Sequence, residues 1–253
     1  MENLPIRVIS RIDIKGENVI KGIHLEGLRV IGNPNTLALE YYKSGIDEII
    51  FMDVVASLYE RNNFFNVINK AAQNIYVPIT VGGGIRSVED INKALRNGAD
   101  KVAINTAAIK NPKILSEASK IFGSQCIVLS VEAKKREDKV WEALIDNGRE
   151  KTNIDVIDWV MEAEKLGIGE ILLTSVDKEG TQSEYDEELV KEVCSKVNVP
   201  VIACGGAGSI GSIESLLKNQ KPGICIASLF QYKKFTPRSL KKILNENGFY
   251  IRL

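Results

Sequence analysis

Ile79-Thr-Val-Gly-Gly-Gly84 and Val201-Ile-Ala-Cys-Gly-Gly-Ala-Gly208 share one pattern, a short β-branched run that ends in glycines. Their first glycines, Gly82 and Gly205, stand 123 positions apart in a chain of 253 residues. Similar apolar runs recur along the chain with amphipathic segments between them, which is typical of parallel strands that alternate with helices. The pattern therefore predicts an α/β protein with a parallel sheet.

The number of these runs indicates which α/β architecture to expect. A chain of 253 residues is close to the ~250 typical of one (β/α)8 barrel. We therefore predict a single (β/α)8 TIM barrel domain over residues 1–253, with helical patterns such as 87–97 and 154–166 between the strands. The first of these helices begins with a capping-type Ser87-Val-Glu-Asp90 sequence. The eight predicted strands are residues 7–14, 48–53, 77–81, 101–105, 125–132, 170–176, 200–204 and 223–229.

The first four predicted strands end in residues that resemble those of the last four. Asp13 and Glu132 end the first and fifth strands, 119 positions apart, while Asp53 and Asp177 follow the second and sixth, 124 positions apart. A duplicated half-barrel explains this repeat, with halves of about 1–120 and 121–253. Similar chemistry is then expected on opposite sides of one barrel mouth.

Two phosphate sites are predicted at this mouth, because glycine-rich strand ends offer backbone N–H groups to anions. Gly84 with Asn105 and Thr106 forms one candidate site, and Gly206 with Ser228 forms the other. The alternative is that the glycines only make tight strand-to-helix turns. Two matching glycine runs, each followed one strand later by small polar residues, favour a ligand with two phosphate ends.

Asp13 and Glu132 lie between these sites in the predicted barrel, as a general acid/base pair would. The alternative for each acid is an ion pair with a neighbouring lysine at the strand end. The glycine-bounded polar stretch 15–22 follows Asp13 and is interpreted as a closing lid, from which Lys21 could meet substrate. The competing interpretation of Lys21 is a solvated loop charge.

Four charged residues begin predicted strands at the other, N-terminal end of the predicted barrel. Two are cations and two are anions, so the charges cancel around a ring. Residues at this end usually serve stability, and the pattern alone favours that role. The ring consists of Arg7, Glu48, Lys101 and Glu170.

Composition excludes several classes of partner. Lys plus Arg and Asp plus Glu number 33 each, so nothing predicts binding to nucleic acid or to an anionic membrane. No apolar run approaches the ~20 residues that span a bilayer, and the start lacks a signal-peptide core, which predicts a cytoplasmic protein. His24 is the sole histidine and the cysteines form no C-x-x-C pair, so we expect free buried thiols, no metal and no cofactor.

The chain resembles the cyclase subunit of imidazole glycerol phosphate synthase over nearly its whole length. The resemblance is carried by Thr80-Val-Gly-Gly-Gly-Ile-Arg86, Gly98-Ala-Asp-Lys-Val-Ala-Ile-Asn-Thr-Ala107, Phe122-Gly-Ser-Gln125 and Gly169-Glu-Ile-Leu-Leu-Thr-Ser175. It implies a glutaminase partner at the N-terminal face, whose ammonia passes a gate formed by the four-charge ring and travels up the barrel. The implied substrate is a bis-phosphate ribulosyl formimino aminoimidazole carboxamide ribotide, cleaved to imidazole glycerol phosphate and an aminoimidazole carboxamide ribotide.

The resemblance also assigns roles to individual residues. Asp13 matches the first catalytic aspartate and Lys21 the loop lysine. With Glu132 as the second acid, the full set of implied substrate and phosphate contacts is Lys21, Asp53, Gly84, Asn105, Thr106, Thr174, Asp177, Gly180, Gly206 and Ser228.

Departures from the family pattern keep a second interpretation open. Glu132 replaces the second catalytic aspartate, Ser10-Arg11 replaces Pro-Cys, and Glu179 replaces an aspartate after the sixth strand. These changes resemble paralogues that help to deliver ammonia for amidino groups on surface sugars. The two predicted functions are thus a cyclase/lyase and an ammonia-conducting partner of a sugar-modifying amidotransferase.

Overall fold

The β-branched runs form strands in the computed structural model, which describes residues 4–55 and 62–253. Eight parallel strands close into a barrel in the order β1, β4, β5, β6, β7, β10, β11 and β12, which pairs again with β1. This confirms the predicted (β/α)8 TIM barrel. The strands are β1 (Val8–Lys15), β2 (Asn18–Ile23), β3 (Glu26–Gly32), β4 (Glu48–Asp53), β5 (Ile79–Gly82), β6 (Lys101–Ile104), β7 (Ile127–Glu137), β8 (Val140–Ile145), β9 (Glu150–Asp155), β10 (Glu170–Ser175), β11 (Val201–Cys204) and β12 (Gly223–Ile226).

Helices follow the barrel strands, and side-chain caps fix where several of them begin. Ser87 accepts a hydrogen bond from Asp90 N at the start of α3, as the predicted capping pattern requires, and Ser209 and Thr236 form capping boxes. The helices are α1 (Pro34–Lys43), α2 (Asn62–Ala72), α3 (Val88–Arg96), α4 (Thr106–Lys110), α5 (Lys113–Phe122), α6 (Val156–Lys165), α7 (Glu187–Lys196), α8 (Ile210–Asn219), α9 (Ser228–Gln231) and α10 (Pro237–Glu246).

Two antiparallel hairpins extend the barrel at matching places in the two halves. β2 and β3 follow the first barrel strand, and β8 and β9 follow the fifth. The predicted lid 15–22 is therefore a strand hairpin rather than an irregular loop. The predicted helix 154–166 is too long at its start, because residues 154 and 155 belong to β9 and the Asp155 carboxylate caps α6 by accepting N–H bonds from Ile157 and Asp158.

Strand alternation divides the core into two layers. On β1, Val8, Ile12 and Ile14 pack outward against the helices, whereas Ile9 points into the barrel. The barrel interior above the N-terminal end is apolar and includes Ile9, Ile50, Ala103, Val128, Leu172 and Ile202.

All four cysteines are free thiols, as predicted. Their predicted burial is correct for Cys204 and Cys225 but wrong for Cys126 and Cys194, which are only partly covered. Among the described residues, no helix has the length and apolar character needed to cross a membrane.

Candidate active site

The four charges at the N-terminal end form a closed ring of ion pairs. Arg7 donates to Glu48 Oε1 at 2.6 Å and to Glu170 Oε1 at 2.5 Å, and Lys101 donates to the remaining oxygens of both glutamates at 3.0 and 2.8 Å. Burial acts to lower the pKa of Lys101, but the charges of Glu170 and Glu48 outweigh it and the pKa is raised. Lys101 therefore stays charged at neutral pH. The ring covers the lower end of the apolar interior.

Asp13 lies at the opposite end, on the last inward-facing position of β1. Its Oδ1 accepts a hydrogen bond from Arg11 Nε at 2.7 Å, and both side chains are buried. Asp13 therefore forms an ion pair, as the alternative interpretation predicted, but its partner is not a neighbouring lysine. The partner is Arg11, two residues earlier on the same face of β1. Arg11 also donates from Nη1 to Thr174 Oγ1 at 3.2 Å, which joins β1 to β10 across the barrel.

Glu132 lies at the matching position of β7. Its Oε2 accepts hydrogen bonds from Asn105 Nδ2 at 2.9 Å and from Gly148 N at 2.8 Å. Burial raises the pKa of Glu132 to about 7, although the charge of Arg11 and the Gly148 N–H act to lower it. Glu132 can therefore both donate and accept a proton near neutral pH.

The β2–β3 hairpin docks over this mouth through Lys21. The Lys21 amine forms an ion pair with Glu179 in the loop after β10, and both side chains are buried, so Lys21 is not a solvated charge. Burial acts to raise the pKa of Glu179, but the charges of Lys21 and Arg11 outweigh it and the pKa is lowered. His24 secures the hairpin tip by donating its backbone N–H to Glu179 O at 2.8 Å and its Nδ1–H to Val176 O at 2.9 Å.

A cavity of about 630 Å³ opens beside Glu132, large enough for a small-molecule ligand. Its walls combine predicted residues with cations that the sequence analysis did not single out, namely Lys110 and Arg149. Thr106 is positioned there by the turn after β8, since its Oγ1 accepts the Asp146 N–H at 3.1 Å. The predicted site residues on this cavity are Asp53, Gly84, Asn105, Thr106 and Glu132.

The other predicted contacts lie on the far side of the mouth, around β10, β11 and β12. Gly206 has a φ of +96°, and a Cβ there would lie 2.1 Å from Glu184 O, so the loop after β10 packs directly on this glycine. Ser228 is buried at the start of α9. Asp177 accepts a hydrogen bond from Lys135 N at 2.8 Å, which ties the loop to β7. The loop after β10 therefore contacts the end of β11 at Gly206 and is tied to β7 through Asp177.

Asp13 does not line the large cavity. It lines a void of about 10 Å³, the size of one water, together with Lys21, Leu25 and Glu179. Val54 and Asn147 line both spaces, so the two spaces adjoin at these residues.

Sequence reasoning missed the β8–β9 hairpin, which brings three residues of its turn to Glu132. The signal was present, because Asp146-Asn-Gly148 separates an alternating apolar run from a polar one, and such turns mark hairpins. All three turn residues have positive φ, of 50°, 61° and 75°. In the described part of the chain, no group of three His, Cys, Asp or Glu side chains is arranged to hold a metal ion.

Comparison with known proteins agrees with this arrangement. The model of the histidine biosynthesis protein family matches residues 7–236. An imidazole glycerol phosphate synthase subunit HisF of Legionella pneumophila is 60% identical over 205 residues, which cover 81% of this chain and 97% of that relative. Proteins of the same name from Hydrogenobaculum sp. (strain Y04AAS1) and Dictyoglomus thermophilum are 45% and 43% identical, and each alignment covers 98% of both chains. These matches confirm the resemblance drawn from the motifs, and the chain belongs to the histidine biosynthesis protein family, in its imidazole glycerol phosphate synthase subunit HisF branch.

Proposed function

We propose that this chain is the cyclase/lyase subunit of an imidazole glycerol phosphate synthase. It uses ammonia to convert the bis-phosphate ribulosyl formimino aminoimidazole carboxamide ribotide to imidazole glycerol phosphate and an aminoimidazole carboxamide ribotide. The observation that carries this proposal is the placement of two buried carboxyl groups, Asp13 and Glu132, at one mouth of a barrel of this family.

The two carboxyl groups supply the proton transfers that this reaction needs. Ammonia attacks the ketose carbon of the substrate, and the attacking nitrogen must lose two protons while the ketose oxygen gains two and leaves as water. A carboxylate can accept each proton from the nitrogen, and a carboxylic acid can donate each proton to the oxygen. Glu132, with its pKa raised to about 7, is present in both forms at neutral pH and suits the donor role.

The substrate's phosphate ends are assigned to the two sides of the mouth. Gly84, Asn105 and Thr106 line the large cavity, where Lys110 and Arg149 add positive charge. Gly206 and Ser228 form the second candidate site, together with the Thr174 and Gly180 side of the mouth. In crystals grown with phosphate or sulfate, we expect an anion at each site, and a well-resolved map with both sites empty would count against a two-phosphate ligand.

A glutaminase subunit is the proposed source of ammonia. The relatives are named as subunits of a synthase, and we place the partner at the N-terminal face, where the four-charge ring covers the apolar interior. Neutral ammonia crosses an apolar interior at far lower cost than a charged ion does. Tyr76, just before β5, and Tyr250, which pairs with Ile6 before β1, are exposed at this face and offer apolar contact area.

A second candidate function is favoured by the residues that depart from the family pattern, Ser10-Arg11, Glu132 and Glu179, all of which are buried. These departures resemble those of a paralogue that conducts ammonia to a sugar-modifying amidotransferase. The two functions differ in one measurable property, the turnover of the ribulosyl substrate by the barrel alone.

The deciding experiment supplies the purified barrel with an ammonium salt and the ribulosyl substrate and follows product formation. Under the proposed function, the wild-type barrel turns over the substrate, Asp13→Asn abolishes turnover and Glu132→Gln severely impairs it. Glu188→Gln, at an exposed carboxylate on α7, serves as the control and retains activity. A wild-type barrel without ammonium-dependent turnover contradicts the cyclase and supports the ammonia-conducting function.

A further inference from the structure

Arg11 is a charged side chain in the interior of the barrel, where such groups are rare. It is 2% exposed, on the inward face of β1 between Ile9 and Asp13. Removing a guanidinium from water is costly unless the protein provides partners for it. Its position at the upper end of the apolar interior, next to the proposed catalytic carboxyl groups, points to a role in their chemistry.

The contacts of Arg11 extend across the barrel. Nε donates to Asp13 Oδ1 at 2.7 Å on the same strand, Nη1 donates to Thr174 Oγ1 at 3.2 Å on β10, and Nη1 also approaches Cys204 Sγ on β11 at 3.8 Å. Nη2 is buried and makes no hydrogen bond within the described part of the chain. Since the guanidinium is planar, these contacts fix both its position and the orientation of the Asp13 carboxylate.

The charge of Arg11 reaches three carboxyl groups and one thiol at the mouth. The groups that face it are Asp13 on β1, Glu132 on β7, Glu179 in the loop after β10 and the Cys204 thiol on β11, with Lys21 on the docked hairpin as the second cation. Glu132 also faces Asp146 in the β8–β9 turn, whose charge acts to raise its pKa, and the Gly148 N–H, which acts to lower it. Arg11 is the strongest of the influences that favour the ionised form of Glu132.

We propose that Arg11 is a positioning residue for the reaction: its guanidinium fixes the Asp13 carboxylate at the mouth and supplies the positive charge that Asp13 and Glu132 share. The inference deepens the proposed function and rests on it, since it concerns the same site. It also links two departures from the family pattern, the arginine two residues before Asp13 and the glutamate at position 132, because both groups belong to one buried charge cluster.

A merely structural role would make Arg11 a strut between β1 and β10. The structural role and the positioning role predict different effects on Glu132. Arg11 influences Glu132 through its charge and donates no hydrogen bond to it, so loss of a strut alone would not shift the titration of Glu132. Arg11→Met keeps an unbranched apolar stem but removes the guanidinium and its charge, whereas Arg11→Lys keeps the charge but cannot reproduce the planar contacts. Ile202→Val removes one methylene from the same apolar interior without a change in charge and serves as the control.

The experiment measures the titration of Glu132 in the full chain by carbon-13 NMR of labelled glutamate, which requires no turnover. We expect the midpoint of Glu132 to move to higher pH in Arg11→Met, and to stay close to that of the wild-type protein in Arg11→Lys and Ile202→Val. With ammonium salt and the ribulosyl substrate, we expect kcat of Arg11→Met to fall about 10²-fold with a smaller change in KM, because the carboxylate loses its fixed orientation.

The outcomes separate this inference from the proposed function. If the titration midpoint of Glu132 is unchanged in Arg11→Met, Arg11 does not supply a charge that Glu132 shares with Asp13. If kcat is unchanged in that variant, Arg11 does not position the Asp13 carboxylate for the reaction. If Arg11→Met does not fold, Arg11→Lys decides, because a normal Glu132 midpoint with a reduced kcat supports the inference and a wild-type kcat overturns it. A wild-type barrel that titrates as expected but shows no turnover refutes the proposed function, and with it any role of Arg11 in that reaction.

Discussion

Lys21 on β2 and Glu179 in the loop after β10 form an ion pair in which both side chains are buried, and this pair holds the hairpin over the barrel mouth. Buried pairs of this kind are costly to break, because removal of one partner leaves the other charge without compensation. The hairpin is therefore held by a contact whose loss has a large and measurable effect on stability.

Glu179→Gln is expected to lower the free energy of unfolding by about 3 kcal/mol or more, as is typical when one partner of a buried pair is removed. Urea denaturation measures the change. Glu188→Gln is the matched control, since the Lys135–Glu188 pair at 2.7 Å is exposed, and pairs of that type contribute about 1 kcal/mol or less. Equal losses in the two variants would show that the buried pair has no special role.

Gly180 is expected to control the docking of the same hairpin. Its φ is +74°, and a Cβ at this position would lie 2.4 Å from Gly22 O and 2.8 Å from Ile23 Cα. Gly180→Ala should therefore displace the hairpin and increase amide hydrogen exchange in β2 and β3. Gly211→Ala, in helix α8 with its nearest neighbour at 3.8 Å, should leave exchange in the hairpin unchanged.

The sequence predicted the barrel because its evidence is local and repeated. The glycine-ended runs and the Ser87 cap depend on neighbouring residues, the runs recur 123 positions apart, and the runs and the cap have counterparts in the structure. The side-chain contacts of Arg11 and Lys21 could not be predicted in the same way. They join residues 158 or more positions apart, except for the contact with Asp13, and depend on how long side chains meet across the closed barrel.

In the candidate site, too, the local and repeated features could be predicted and the long-range contacts could not. Placement of Asp13 and Glu132 at matching strand ends could be derived from the repeat, since parallel strands end at one mouth. The amide donor to Glu132 is Asn105, directly after β6, and the backbone donor comes from the β8–β9 turn. That turn belongs to a hairpin that the sequence analysis assigned in part to a helix. The substrate and phosphate contacts themselves stay predictions.

The charged ring at the N-terminal face is expected to affect the use of glutamine more than the use of ammonia. Lys101→Ala removes the donor to both Glu48 and Glu170, and Arg7→Ala removes the opposite donor. With the glutaminase present, we expect each variant to reduce the glutamine-driven rate relative to the rate with ammonium salt. If complex formation and the glutamine-driven rate are both unchanged in the two variants, the gate assignment is wrong.

Glu132 gives the protein a defined dependence of stability on pH. Its pKa is raised by burial from 4.5 to about 7, so the folded state binds a proton that the unfolded state has already lost between these values. The contribution of the protonated Glu132 carboxyl to the free energy of unfolding is present in full below about pH 4.5 and is lost as the pH rises through about 7. The difference amounts to about 3 kcal/mol. We expect the stability of the wild-type protein, relative to that of Glu132→Gln, to fall across this interval in denaturation experiments at a series of pH values. A difference that does not vary with pH would mean that Glu132 is ionised in the folded state throughout.

The last prediction concerns Glu132→Asp, which restores the residue type that the family uses at this position. Glu132 Oε2 accepts hydrogen bonds from two donors, Asn105 Nδ2 at 2.9 Å and Gly148 N at 2.8 Å. Removal of one methylene withdraws the carboxylate by on the order of an ångström, a displacement that can cost about 10²-fold in rate when the geometry is tight. The withdrawn oxygen cannot keep both contacts.

If the site is built around a glutamate, Glu132→Asp should therefore lower kcat with ammonium salt by about 10²-fold. It should also loosen the β8–β9 turn, because Gly148 N loses its acceptor, and amide exchange at Gly148 reports this change independently of activity. Glu142→Asp on the same hairpin is the control for a shortened acid, since Glu142 accepts from the backbone N–H groups of Thr152 and Asn153 and lies outside the large cavity. The opposite result, a wild-type barrel without turnover and a Glu132→Asp variant that gains it, would show that the glutamate has switched off an inherited reaction and that the ammonia-conducting function is the correct one.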